Sequence, residues 1–273
     1  MSYHKHGAVA PEQEYCAYGN SKLRFRGPKR SLTQPYVAFV GGTETYGKFV
    51  ERPFVDLVET ELGQVCINLG SVDSGLDTFV QEAELLRIAQ GAELVVLQIP
   101  AAQNLSNRLY RVHPRRNDRF LAASPSLKAI YPEVDFTEFH FNKHMLGALR
   151  SVSDERFQAV REELRAAWVS RMRLLLRTID NRTVLLWLKY QDDLNGTGAL
   201  GADPLLVQEG MLEELKFDAC KLIRFSVRAA GESGDLSKMV FGPMQAPAAS
   251  HIIGPATHAV VADTLVQELR PLL

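Results

Sequence analysis

The sequence predicts a three-layer α/β/α fold built on about five parallel strands, with a long insertion after the third. Three observations carry that expectation. Short apolar runs recur along the chain and each ends at glycine or polar residues, as buried strands do. The segments between them space their apolar residues at helical intervals, and strands alternating with helices make parallel sheets with right-handed crossovers. The chain has 273 residues, 46% hydrophobic and 23% charged, enough for one large core.

Residues 1–34 are polar, carry scattered aromatics (Tyr15, Tyr18, Phe25) and show no periodicity. They are expected to form an N-terminal arm packed through those aromatics on a main domain spanning residues 35–273. Tyr36–Val40 is the first expected strand. Lys48–Leu62 places Phe49, Val50, Phe54, Leu57, Val58 and Leu62 at helical spacing, with Pro53 limiting where the helix begins and Gly63 stopping it. Val65–Leu69 is the second strand and Leu76–Ala89 the second amphipathic helix. Leu94–Ile99, apolar almost throughout, is a third strand covered on both faces. The expected strand order is 2-1-3-4-5.

The alternation then stops. Residues 100–150 hold a basic run and an aromatic stretch and are expected to be an insertion or lid, because long irregular segments in compact domains are often binding elements. Ser151–Asp154 supplies a cap signal for a long helix whose stripe is Phe157, Val160, Leu164, Trp168, Met172 and Leu175. Val184–Leu188 is the fourth strand, followed by a polar, glycine-rich loop over 189–203 and a helix over Leu205–Phe217. Leu222–Val227 is the fifth strand, and Gly254-Pro255 opens the last helix, through Val260, Leu265 and Leu269.

Net charge is −1, which argues against an extended nucleic-acid footprint. The N-terminus lacks the apolar segment of a signal peptide and no run is long enough to span a membrane, so the expectation is a cytoplasmic protein with no membrane partner. Its three cysteines (Cys16, Cys66, Cys220) are far apart without metal-ligand spacing, and Cys66 and Cys220 read as small core residues. No cofactor is indicated, and oligomeric state is not legible.

The working end is expected at Val37–Gly47, where an apolar run breaks into Gly41-Gly42-Thr43-Glu44-Thr45-Tyr46-Gly47. A first strand of an open α/β sheet ends there at the crevice where ligands bind. This block is similar to the opening Gly-Asp-Ser-Leu-Thr-x-Gly block of the SGNH (GDSL-type) hydrolases. Asn68-Leu69-Gly70 resembles the second block, Gln103-Asn104 the third, and His251, ahead of the last helix, the final Asp-x-x-His block. The resemblance implies a flavodoxin/SGNH-like fold and an esterase or acyl transferase acting on an acylated, anionic small molecule or glycan. Thr43 would be the nucleophile, His251 the base, and Gly70 and Asn104 the oxyanion donors. Three departures stand out: Thr43 replaces the family's nucleophilic Ser, Gly42 replaces its Asp, and Ala248 stands where the acid that orients the histidine belongs. The opening also resembles an uncharacterised bacterial family bearing Gly-Gly-Thr-Glu-Thr-Tyr-Gly.

Gly42–Lys48 also fits a P-loop except for Phe49 at the hydroxyl position, which opens a phosphate- or sulfate-group transferase or nucleotide binder with Lys48 on the anion. A silent binding protein on the same fold is the third alternative. Arg108, Arg111, Arg115 and Arg116, in a run reaching Arg119, form a candidate substrate-binding surface for an anion, set against a solvated loop whose arginines pair with acids. His140 and His144 at i,i+4 raise a metal pair without a third ligand, so no metal is assigned. His258 reads as structural, and nothing chooses between ligand and loop roles for Asp192-Asp193.

Overall fold

The computed structural model describes residues 14–191, 200 and 204–273. Its centre is a five-stranded, all-parallel sheet of β1 (Tyr36–Gly41), β2 (Val65–Gly70), β3 (Leu94–Gln98), β4 (Thr183–Tyr190) and β5 (Lys221–Val227). The spatial order is β2-β1-β3-β4-β5, as expected. Alternation along β1 shows how the layers form. Ala38 and Val40 pack with one helical layer and Val37 and Phe39 with the other, because successive side chains point to opposite faces.

The first layer holds α3 (Leu76–Gln81), α4 (Ala83–Gln90) and the long α6 (Asp154–Ile179); the second holds α2 (Phe54–Leu62) and α7 (Pro255–Leu269). The helix expected over Leu76–Ala89 is two, broken at the extended Glu82. The stripe from Phe157 to Leu175 is wholly buried, and Ser153 caps α6 by accepting from the Arg156 amide. The helix foreseen over Lys48–Leu62 starts only at Phe54, behind Pro53. Phe49 instead sits at a positive φ of 67°, a conformation a bulky side chain adopts only under packing constraint. Of the span Leu205–Phe217 only Glu209–Glu213 is helical. Cys66 is buried as expected, whereas Cys220 is exposed, at the first edge of β5.

In residues 14–34, Tyr18 and Phe25 join the first-layer core while Tyr15 is half exposed. Arg26 is buried and donates to the carbonyls of Gly47 (3.1 Å) and Glu51 (2.7 Å), bracing the turn behind the first strand. The insertion builds a hairpin (Tyr110–Val112 with Phe120–Ala123), a short helix (Pro125–Ile130) and α5 (Asn142–Val152). These share a core of their own with Phe157, Val160 and Leu164 of α6. Asn117 seats this unit on α3. Fully buried, its Oδ1 accepts from the amides of Gly75 (2.9 Å) and Thr78 (3.1 Å) at the start of α3. Among the described residues no helix is long and apolar enough to cross a membrane.

Candidate functional site

The turn after β1 is a single helical turn, α1 (Thr43–Tyr46), closed by Gly47 in the left-handed conformation. It sits close on the sheet because Gly41 has no side chain: a Cβ there would lie 2.0 Å from Thr45 Oγ1. Gln98, the polar last residue of β3, organises this turn from below. Its Oε1 accepts from the Gly42 amide (3.1 Å), the Thr45 amide (3.2 Å) and the Thr45 hydroxyl (2.6 Å). Its Nε2 donates to Glu44 (2.9 Å), whose other oxygen accepts from the Tyr190 hydroxyl at the end of β4 (3.1 Å).

A cleft of about 180 Å³ opens at the carboxyl ends of β1, β3 and β4, walled by Thr43, Glu44, Asp73, Gln98, Asn104 and Asp118 among others. Thr43 and Asn104, named from the sequence, therefore face one cavity. Thr43 Oγ1 accepts from the Asp73 amide (3.2 Å), and Asp73 itself holds a positive φ of 59° at this wall. Asn142 Nδ2 donates to Asn104 Oδ1 (3.1 Å) and to the Asn117 carbonyl (2.6 Å). With its oxygen so engaged, Asn104 has its Nδ2 donor left for the cleft.

The other expected site residues lie elsewhere. The Gly70 amide, expected as an oxyanion donor, donates to Asn68 Oδ1 (2.9 Å), and a Cβ there would stand 2.2 Å from the Tyr46 amide. Gly70 is a close-packing position that lets α1 cross β2. His251 is exposed at the end of the helix Ala246–Ser250; it does not line the cleft, and among the described residues no hydrogen bond joins it to Thr43. His258 is buried and structural, accepting from the Phe54 amide through Nδ1 (3.0 Å) and stacked on that ring.

Most amides of the expected phosphate cradle are already engaged. An anion there needs free amides, but those of Gly42 and Thr45 go to Gln98, and those of Tyr46, Gly47 and Lys48 go to carbonyls of Gly42, Thr43 and Glu44. Lys48 places its ammonium over the Phe49 ring.

Arg108 and Arg116 of the arginine run are engaged by acids. Arg108 forms an ion pair with the buried Glu163 of α6, and its Nε donates to Glu163 Oε2 (2.6 Å). Arg116 reaches Asp73 at 2.8 Å and Asp118 at 3.6 Å, while Arg111 and Arg115 are exposed; none of the four lines the cleft. Asp118, from the same run, does line it. Burial and then the Asp73 carboxylate push its carboxyl above the usual carboxylate range, opposed by Arg116. His140 lies at a bend before α5 and His144 within it, so the two do not share a helix face. Among the described residues no group of three His, Cys, Asp or Glu is placed to hold a metal ion. Asp192-Asp193 lie outside the described residues.

Sequence reasoning passed over Asp73, Gln98, Asp118 and Tyr190. Gln98 had a signal, a polar residue closing the apolar run Leu94-Val-Val-Leu-Gln98. Asp118 was hidden among arginines, and Tyr190 is brought in only by strand order.

Fold and site together define an open, doubly wound α/β protein with a polar cleft at its strand ends. The chain belongs to the family DUF6473, described as a domain of unknown function, whose match runs over residues 1–273. No curated protein matches it. Among solved structures, it is similar to a lipase/acylhydrolase from Enterococcus faecalis at 9% identity and a TM-score of 0.44, covering 87% of this chain and 96% of that one. It is also similar to a lipase from a goat rumen metagenome at 12% identity and a TM-score of 0.42, covering 88% of this chain and 97% of the other.

Proposed function

We propose that the cleft carries out acyl transfer, as an SGNH-like hydrolase or acyl transferase on a small acylated molecule. Thr43 is the attacking hydroxyl in this reading and the Asn104 amide stabilises the oxyanion of the tetrahedral intermediate. The single observation that supports it is the presence of these two groups on one cleft at the strand ends, with Thr43 at the head of α1. With His251 outside the cleft, the base is a carboxylate. Asp73 belongs to the hydrogen-bond network of Thr43, since its amide holds the Thr43 oxygen. A carboxylate is a weaker base than imidazole at neutral pH, so turnover is slow. The cleft presents Glu44, Asp73 and Asp118, which favours a neutral or cationic substrate over the anion first expected.

The test is turnover of a panel of short-chain p-nitrophenyl esters. Thr43→Ser keeps or raises the rate, whereas Thr43→Ala lowers kcat/KM at least about a hundredfold, the scale of losing an essential group. Unchanged turnover in a folded Thr43→Ala protein overturns the reading. The occupied Gly70 amide and the remote His251 favour a second reading, a binding protein without catalysis. That reading gains if no ester in the panel is turned over while ligands still bind the cleft.

A further inference from the structure

Acyl transfer breaks a bond to a leaving oxygen as well as forming one to Thr43, and that oxygen needs a proton. Asp118 stands where one can be delivered. The inner cleft, with Thr43 and Asp73, continues into an outer branch walled by Gln103, Asn104, Asp118, Phe141, Lys143 and His144. Asn104 and Asp118 line both parts, whereas Thr43 and Asp73 line only the inner one and Lys143 and His144 only the outer one. An acyl carbon held between the Thr43 hydroxyl and the Asn104 amide has the outer branch as room for its leaving group, with Asp118 at the junction.

The surroundings of Asp118 favour a held proton. Its Oδ1 is buried with no hydrogen-bond partner among the described residues, so nothing there supports an ionised carboxylate. Its Oδ2 shares one guanidinium nitrogen of Arg116 with Asp73 Oδ2, at 3.6 Å against 2.8 Å. One cation between two carboxylates leaves negative charge in excess, and a proton relieves it. Arg116 lies closer to Asp73, so the proton falls to Asp118. Burial and Asp73 push the Asp118 carboxyl upward, opposed by Arg116 and Arg119; Glu44 of the inner cleft and Lys143 and His144 of the branch are the other charged or titratable groups at the cavity.

We propose that Asp118 is the catalytic acid of the cleft, passing a proton from Oδ2 to the leaving oxygen of an ester of an unactivated alcohol. This role rests on the acyl-transfer reading. Asp73 takes the Thr43 proton as Oγ1 bonds to the acyl carbon. The bond from that carbon to the leaving oxygen breaks with its electron pair on the oxygen, which takes the Asp118 proton and departs as an alcohol. The Asp118 carboxylate then takes a proton from an incoming water or alcohol, whose oxygen bonds to the acyl carbon. The bond to Thr43 breaks, and Asp73 returns its proton to Oγ1. Both carboxyls end as they began, one acid and one base set apart by their surroundings.

The test compares two acetyl esters that differ in leaving group. Ethyl acetate releases an alkoxide that needs a proton, and p-nitrophenyl acetate a phenolate that does not. Asp118→Asn keeps the shape of the side chain and removes the proton. Its loss of kcat/KM on ethyl acetate is expected to exceed its loss on p-nitrophenyl acetate by about a hundredfold, the scale of general acid catalysis. In the wild type, kcat/KM on ethyl acetate is expected to fall on the alkaline side as Asp118 loses its proton, a limb missing with p-nitrophenyl acetate. Arg116→Ala moves that limb to higher pH, because it removes a cation that favours the ionised form. These profiles keep the test open if Asp118→Asn fails to fold. Equal losses on the two esters, or no wild-type turnover of ethyl acetate, overturn the acid. An alkaline limb that survives Asp118→Asn does so too, and gives the proton to Lys143 or His144. In each of these cases, loss of p-nitrophenyl acetate turnover in Thr43→Ala leaves acyl transfer standing without Asp118. A wild type that hydrolyses neither ester, or a folded Thr43→Ala protein that keeps the full rate on both, overturns the two together.

Discussion

Gln98 shows how much of this site hangs on one side chain. Its carbonyl oxygen takes three hydrogens from the α1 turn and its amide holds Glu44, all in a residue 8% exposed. Replacing it by leucine keeps the volume and strands buried donors, each costing about 1–3 kcal/mol. Gln98→Leu is expected to lower unfolding free energy by about 2–4 kcal/mol by urea titration, and to impair ligand binding in whatever fraction remains folded. Gly70 is a sharper case, because a methyl group there meets the Tyr46 backbone rather than a flexible side chain. Gly70→Ala is expected to destabilise by about 1–3 kcal/mol, as overpacking does. An oxyanion glycine would instead tolerate alanine, whose amide is the same. In sequence both residues are a glycine or a glutamine at a strand end, and only the neighbouring element distinguishes ligand contact from packing.

At the scale of elements, the insertion is tied to the first helical layer by defined bonds. Asn117 bonds the first amides of α3, Asp77 of α3 accepts from the Ser106 amide (2.8 Å), and Arg171 of α6 pairs with Asp77. Asn117→Ala leaves amides at the α3 start unpaired, and a loss of about 1–3 kcal/mol in unfolding free energy is the expected measurement. The arginine run divides in the same way. Arg115 is exposed and Arg116 pairs with two cleft acids, so Arg115→Ala is expected to leave the melting temperature and ligand binding unchanged. Arg116→Ala frees Asp73 and Asp118 from their cation, raising the Asp118 carboxyl further because Arg116 opposes the upward push. Any rate that needs ionised Asp118 should then move its acid limb to higher pH. If both variants behave alike, the run is one solvated surface and this division is wrong.

Across the whole molecule, His258 couples the second helical layer to pH. Burial, aided by Arg26, pushes its imidazole down to about 3, against an ordinary value of 6.5. The native state therefore keeps it neutral where the unfolded chain binds a proton. Stability is full above the unfolded value and falls as pH drops from about 6.5 toward 3, at up to about 1.4 kcal/mol per pH unit. His258→Asn, whose Oδ1 can take the Phe54 amide in place of Nδ1, should show a flatter decline between pH 7 and 5 by urea titration, though it is less stable at pH 7. An unchanged slope would assign the acid sensitivity to other groups.

The sequence by itself determined the sheet. Apolar runs ended by glycine read as parallel strands and the intervening stripes as covering helices, so five strands and the first-strand turn were legible from periodicity, while their order followed from the fold class. Thr43 and Asn104, singled out from the family blocks, both stand at the cleft because strand ends converge wherever strands are parallel. What the tertiary structure decided was which groups remain available there. The Gly70 amide, the amides of Gly42, Thr45, Tyr46, Gly47 and Lys48, and Arg108 all had the right chemistry, and each is taken by a partner within the protein. Asp118 and Tyr190 come to the cleft through an insertion and a neighbouring strand that no local pattern connects to it. Hydrogen bonding is a competition among all groups that folding brings together, and a sequence names the competitors without naming the winners.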